Sequence, residues 1–405
     1  MAPGSFGRLY KTSYLPPPTS HLHLKCSLHV SVFKGGFFLR KFAAAFLAVL
    51  LLAALAAMPF LCAHCSLTPE RTTYYYMQKA RKDAQADDSP EAQLMRMLLG
   101  GAAEETSESE PSVPAFSKYG LYIAIAAAVA VGGVFLVKLQ KKEEKKDWFT
   151  LFAAAALAVP LGLFGARFVY CAANFKFYLL DVQAPEALPR VWEGGLSLSG
   201  ALAFAALGGV IAAKCRKVSV RQTLNGLTPG LLVFAGLARS CERVIGAGYG
   251  PEADALTVVI GDSWRLDTAL LMVFALFILL ILRKDFVRSA FLYGSVMILL
   301  ESLRRDGHMM WGFVHAEQVF ALCIALPALL YCAVKVRRFW LALGATALMT
   351  GAVIGLEFAL DRSPLSDALL YGAFALVMAA YIALGMVWAK KGGKIGALQN
   401  RLIPL

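Results

Sequence analysis

Hydrophobic positions in this chain fall in long uninterrupted runs, not in the alternation of a strand or the one-sided stripe of a surface helix. From residue 119 onward the apolar stretches cover about 119–137, 149–166, 196–213, 223–243, 265–282, 287–303, 317–334, 339–358 and 368–388, and an earlier run extends from Phe42 to about Cys62. About 20 apolar residues in helical form cross a bilayer. The pattern therefore predicts an all-α, polytopic transmembrane helical bundle of about ten spans. The remaining segments set the organisation: 1–39 reads as a disordered polar tail and 40–63 as an N-terminal transmembrane anchor or signal-like segment. Residues 64–117, rich in Asp, Glu and Ser, read as a flexible extracytoplasmic linker, 118–335 as a membrane core, and 336–405 as two additional helices with a basic cytoplasmic tail.

Composition supports the same class. With 58% hydrophobic residues and a mean hydropathy of +0.60, a water-soluble fold is excluded. A net charge of +13 is common in nucleic-acid binders, but here the basic residues sit in short connections between apolar runs, so no nucleic acid is expected. Every second connection is lysine-rich: 138–146, 214–221, 283–288, 335–338 and the tail 390–394. Those connections face the cytoplasm by the positive-inside rule, which places both termini there as well. The eight cysteines are scattered and read as small packing residues; Cys62 and Cys65 form one C-x-x-C at a membrane exit, without the sheet a redox motif needs. No spacing suits a metal, and no cofactor is expected.

The other connections carry a different cation. Arg167, Arg190, Arg239, Arg243, Arg265, Arg304 and Arg305 lie at the outer ends of apolar runs with only Lys176 beside them. Guanidinium forks suit phosphate oxygens, and charge next to hydrocarbon needs a partner or a ligand. Two readings stand side by side. Arg239 and Arg243 flank Glu242, and Glu301 precedes Arg304 and Arg305 at i+3 and i+4, so part of the set could be ordinary intrahelical pairing. Against that, arginines outnumber the carboxylates close enough to neutralise them. Glycines punctuate the same regions: Gly194, Gly195 and Gly200 near one helix entry, and Gly246, Gly248 and Gly250 after Arg243. They either let backbone N–H groups meet a ligand or simply pack helices.

The segments G-A-R-F-V-Y (165–170), V-W-E-G-G-L-S (191–197), G-L-A-R-S-C-E-R-V-I-G-A-G-Y-G (236–250) and Y-G to E-S-L-R-R-D (293–306) resemble, in order, those of the prolipoprotein diacylglyceryl transferase family. The likeness runs from about Lys118 to about Pro327. It implies transfer of diacylglyceryl from phosphatidylglycerol to a lipobox cysteine thiol, with release of glycerol phosphate, in a bacterial cell membrane. Its implied partners are phosphatidylglycerol or another anionic phospholipid, a prolipoprotein lipobox peptide and the membrane itself. Carried over by motif, Arg239 falls on the arginine of the lipid-phosphate site, and Arg304 with Glu301 on the late E-F-F-R element. Arg167 matches the arginine of G-A-R, Glu193, Gly194 and Gly195 the W-[DE]-G-G, and Tyr293 the late Y-G. Gly246, Tyr249 and Gly250 complete the signature, with Arg243 beside it.

The chain also departs from the family. Ser199 stands where the family writes a histidine, Glu242 where it writes asparagine, Ala247 where it writes an acid, and Met297 where a further arginine is written. Thiol attack needs a base or a positive field, and the leaving phosphate needs stabilised charge. The expected catalytic set is therefore Arg239, Glu242 and Arg304, with Glu242 the acid able to act as base although flanking arginines weaken it. Substrate binding is expected from Arg167, Glu193, Gly194, Gly195, Ser199, Arg243, Gly246, Tyr249, Gly250, Tyr293 and Glu301. His308 and His315 are the histidines near the outer face that could replace the missing one. Three functions remain open: a transferase; a catalytically inactive phospholipid- or prolipoprotein-binding protein; and a transporter, for which only Pro160, Pro229, Pro327 and intramembrane charge speak.

Overall fold

A computed structural model of the chain describes residues 45–60, 116–140, 145–176, 178, 188–191, 195–243, 247–260, 263–283, 285–306 and 309–402. The expected tail 1–39, most of the acidic linker 64–117 and the Cys62–Cys65 pair lie outside the described residues. The fold below belongs to the unit Val49–Leu405; of the unit Met1–Ala48 only the start of one helix is described.

The described residues form α1 (Ala45–Phe60), α2 (Lys118–Gln140), α3 (Lys145–Ala173), α4 (Leu198–Arg216), α5 (Val220–Glu242), α6 (Thr268–Leu282), α7 (Phe286–Glu301), α8 (Ala316–Lys335), α9 (Phe339–Arg362) and α10 (Asp367–Leu402). Each falls on one of the apolar runs. Six helices, α2, α3, α4, α8, α9 and α10, are long and apolar enough to cross a membrane, while α1 and α6 are apolar but shorter.

The two left over, α5 and α7, are the ones that matter for the site. Helix α5 carries Arg221, Gln222, Asn225, Arg239 and Glu242, and α7 is only 16 residues long. Neither is built to face lipid on all sides, and neither has to. Helix α5 packs against α2, α3, α4, α6 and α7, and α7 against α5, α6, α8 and α10. The apolar neighbours thus form the shell around polar residues that hydrocarbon would reject. The core between them is filled by Met272, Leu276, Phe291, Met297, Leu329 and Phe374, while Trp340, Leu348 and Leu376 on α9 and α10 point outward.

Small residues bring the helix axes together. A Cβ on Gly294 of α7 would stand 2.3 Å from the Ala321 carbonyl oxygen and 2.8 Å from the Ala325 Cβ of α8. A Cβ on Gly200 of α4 would stand 2.5 Å from the Gly165 carbonyl oxygen of α3, which assigns Gly200 to helix packing.

Strands interrupt the helical expectation. Between α5 and α6 the chain forms β1 (Tyr249–Glu252), β2 (Thr257–Ile260) and β3 (Ser263–Asp267), an antiparallel sheet in the order β1-β3-β2. Between α7 and α8 it forms a hairpin of β4 (Met310–Trp311) and β5 (Val314–His315). The all-α expectation is amended accordingly, and the run expected to span from 265 begins as a strand. Thr257, Val258, Val259 and Ile260 favour extended backbone, and outside the helices peptide groups at a membrane face must satisfy one another. Asp267 then caps α6 by accepting from the Leu270 N–H at 2.9 Å.

Helices α9 and α10 are tied to the end of the bundle where α7 finishes and α8 begins. Glu357 of α9, buried, accepts from Gln318 Nε2 at 2.6 Å. Tyr371 of α10 accepts from Arg305 Nη2 at 3.0 Å. Gly294→Leu should force α7 and α8 apart and cost about 1–3 kcal/mol, the usual penalty of overpacking. Thermal unfolding in detergent micelles measures it; an unchanged midpoint would mean that the close α7–α8 approach carries no stability.

Candidate functional site

Arg239 lies in the last turn of α5, where the helix still has its apolar shell but is about to leave it. The side chain is buried, so its charge must be met locally. It donates from Nη1 to Glu242 Oε1 at 2.6 Å, one turn along the same helix, and from Nη2 to Glu301, the last residue of α7. Arg304 follows three residues later, after α7 has ended. Its Nη1 lies 3.3 Å from Glu242 Oε2 and 3.5 Å from Glu301 Oε2. Two guanidiniums and two carboxylates thus alternate around a closed ring.

A second arc holds the ring from outside. Arg304 Nε donates to Asp306 Oδ1 at 3.2 Å, and the Gly248 N–H donates to Asp306 Oδ2 at 2.8 Å. Gly248 has φ +75°, and a Cβ there would meet Glu242 Oε2 at 3.0 Å, so both conformation and space demand glycine. The sheet returns the chain to this point: the Arg305 N–H donates to the Tyr249 carbonyl at 2.9 Å. Burial alone would lower the Arg304 pKa, but Asp306, Glu242 and Glu301 outweigh it and push it well above the ordinary value, so the guanidinium stays charged.

An apolar cleft ends on this ring, with about 1000 Å³ of empty space counted out to its open mouth. It opens among α2, α3, α4 and α5, with Ile123, Ala127, Val159, Leu163, Leu231 and Phe234 along its walls. Its polar end is made by Ser197, Arg239, Glu242 and Glu317. Arg239 Nε is buried and has no hydrogen-bond partner among the described residues. A cleft with hydrocarbon walls and a charged end is shaped for an amphiphile with an anionic head.

The structure brings together some of the expected residues and separates others. Arg239, Glu242, Arg304 and Glu301 share the ring. Ser199, in the first turn of α4, is buried and donates its N–H to Glu317 Oε2 at 3.3 Å. Tyr293 of α7 is buried within electrostatic reach of Arg239, Glu301 and Glu317 and beside the Ser199 hydroxyl. Arg167 is buried elsewhere: Nε donates to the Leu188 carbonyl at 3.0 Å and the guanidinium lies against the rings of Tyr170 and Tyr178. Gly195 has φ +72° and leaves room for the Tyr170 ring. Tyr249 carries Arg265 on its ring, and Gly250 packs under the Leu303 carbonyl. Glu193, Gly194, Gly246 and His308 lie outside the described residues.

Two expectations need correction. Arg243 does not flank Glu242; about half exposed, it pairs with Asp267 at 3.1 Å, because one further residue rotates it about 100° away from Glu242's neighbours. Its place at Glu242 is taken by Arg304. Arginines also do not outnumber acids here: Arg239 and Arg304 meet Glu242, Glu301 and Asp306. His315 is buried as the N-cap of α8, its backbone N–H donating to Gln318 Oε1 at 3.2 Å.

Glu317, Asp306 and Gly248 were not among the expected site residues. Asp306 was visible as an outer acid and Gly248 as part of G-x-G-x-G. Glu317 gave no signal, since an acid in the first turn of a helix is ordinary.

Comparison with known proteins gives the same direction. The family model described as prolipoprotein diacylglyceryl transferase matches residues 113–334, which covers α2 to α8 and leaves α9 and α10 beyond it. The phosphatidylglycerol–prolipoprotein diacylglyceryl transferase of Listeria innocua is 25% identical over 230 residues, 51% of this chain and 80% of its own length. That of Listeria welshimeri is 24% identical over the same extent. The enzyme of that name from Caldanaerobacter subterraneus is 34% identical over 128 residues, 31% of this chain and 46% of its own.

Removing one member of the buried ring should destabilise strongly. Glu301→Ala leaves two buried guanidiniums short of a partner and should cost about 3–5 kcal/mol, whereas Arg243→Ala should cost less than about 1 kcal/mol because that pair is half in solvent. Chemical unfolding of the two variants in micelles ranks them; equal losses would contradict the ring as the charged core.

Proposed function

The chain belongs to the prolipoprotein diacylglyceryl transferase family, and from that premise we propose that it moves diacylglyceryl from phosphatidylglycerol to the cysteine thiol of a lipobox peptide. The observation that carries the reading is Arg239 at the polar end of an apolar cleft, with Nε left as a donor that no ion pair uses. The diacylglyceryl chains lie along the cleft walls. The phosphate diester sits at its polar end and takes the Nε–H of Arg239, with the ring behind it holding both guanidiniums in place. As the bond from glyceryl carbon to phosphate oxygen breaks, negative charge builds on the departing glycerol phosphate. Fixed cations in a water-poor site stabilise that charge without reorganising.

Glu242 serves this arrangement as a charge partner and not as a base, since both its oxygens face guanidiniums. Glu301 does the same from α7. Ser199 and Tyr293 stand behind the polar end, Ser199 against Glu317 and Tyr293 within reach of Arg239. Arg167, Gly195, Tyr249 and Gly250 shape the surrounding backbone. All ten helices cross a bacterial cell membrane with both termini in the cytoplasm, which puts the ring at the outer leaflet, where α5 and α7 end and α4, α6 and α8 begin.

A second reading, a lipid-binding protein without turnover, draws on one observation: carboxylates already occupy most of the guanidinium donors. The two separate in one assay. Purified protein in phosphatidylglycerol micelles should lipidate a lipobox peptide and release glycerol phosphate, and Arg239→Ala should lower turnover by about 100-fold or more, the scale of losing a transition-state anion contact. Tight lipid binding by the unaltered protein with no thioether product would establish the binding reading instead.

A further inference from the structure

The transferase reading leaves one chemical step without an owner, the removal of the acceptor thiol's proton. Four buried or half-buried carboxylates surround the polar end of the cleft. Glu242 and Glu301 each have both oxygens directed at Arg239 and Arg304, and Asp306 is taken by Arg304 and the Gly248 N–H. Glu317 differs. Among the described residues it forms no ion pair within 4 Å; its one hydrogen bond is the Ser199 N–H on Oε2 at 3.3 Å. It is 2% exposed and lines the cleft beside Arg239.

Its position is fixed from both sides. The first turn of α8 is capped by His315, and the next residue, Gln318, donates to the Ile298 carbonyl at 3.1 Å and to Glu357 of α9 at 2.6 Å. The groups around Glu317 are Ser199 of α4, Arg239 of α5, Tyr293 and Glu301 of α7, and Glu357 through Gln318. Only Arg239 among them is a cation, and it is neutralised within the ring. Of these four, Glu317 is therefore the carboxylate that no guanidinium holds. It also stands against Ser199, the position at which the family resemblance led us to expect a histidine.

We propose that Glu317 is the proton acceptor for the incoming thiol. The thiol S–H proton passes to a Glu317 carboxylate oxygen. The sulfur then attacks the glyceryl carbon, an S–C bond forms, and the C–O bond to phosphate breaks with its electron pair on the departing oxygen. The proton held on Glu317 leaves with the glycerol phosphate or to water, which returns the carboxylate. This assignment rests on the transferase reading.

The test uses the full chain in phosphatidylglycerol micelles with a lipobox peptide, and measures thioether formation across pH. A free thiol ionises near pH 8.5, so above that the acceptor needs no base. Glu317→Gln should lower kcat by about 100-fold near pH 7, with the deficit shrinking to a few-fold near pH 9.5 and lipid KM unchanged. A deficit equal at every pH, or none, overturns the proposal while leaving the transferase reading intact. An unaltered protein that forms no thioether overturns both. Where Glu317→Gln does not fold, Glu317→Asp takes its place: the shortened carboxylate should lose rate at low pH only, and a uniform loss counts against the assignment.

Discussion

Burying a guanidinium at the end of an apolar bundle is tolerable only when carboxylates come with it, and that requirement organises this molecule. Arg239 and Arg304 are both 2% exposed. Left alone, each would cost several kcal/mol to desolvate. Their partners come from separate parts of the chain: Glu242 from α5, Glu301 from α7 and Asp306 from the segment after it. Meeting that demand fixes how α5 and α7 end side by side, and why α7 must stop at Glu301 so that Arg304 can turn back into the ring. The sheet between α5 and α6 answers the same need, because it delivers the Gly248 N–H to Asp306.

The ring in turn dictates the layout of the helices. A polar helix such as α5 cannot stand in hydrocarbon, so it is placed in the middle, surrounded by α2, α3, α4, α6 and α7. A Cβ on Gly230 would collide with Val134 and the Ala130 carbonyl of α2, so these helices meet closely there. Ala130, Val134 and Gly230 also line the apolar cleft that reaches Arg239. The small residues of α2 and α5 thus form part of a groove with hydrocarbon sides and a charged end.

How much of this was legible in the sequence follows from the range of the forces involved. The ten helices lie on the ten apolar runs because hydrophobic length is a local property, readable without knowing the neighbours. Arg239, Glu242, Glu301 and Arg304 stood out because charge beside hydrocarbon is conspicuous wherever it falls. Their pairing was not legible. Arg243 is closer in sequence to Glu242 than Arg304 is, yet it turns to Asp267, since the direction of a side chain at a helix end depends on tertiary packing. The strands were missed because Ser263–Asp267 borders an apolar run and inherits its character. Glu317 was hidden for the opposite reason: an acid at a helix start looks like ordinary capping, and only the approach of α4 gives it a second role.

Helices α9 and α10 extend the same logic past the part of the chain that the family shares. An apolar helix joins a membrane bundle without a hydrophobic driving force, so polar contacts and close packing have to specify where it docks. Glu357 would be a liability in lipid; bound to Gln318 it becomes a fixed point on α8. Tyr371 does the same for α10 by accepting from the Arg305 guanidinium, and the hydroxyls of Thr346 and Tyr381 join α9 to α10 at 3.0 Å. Both docking contacts fall on residues next to the ring: Gln318 follows Glu317, and Arg305 follows Arg304. The additional helices are therefore not a remote appendage. They clamp two short segments, one next to Glu317 at the cleft and one next to Arg304 in the ring, so the charged end is braced by helices that lie outside the family match.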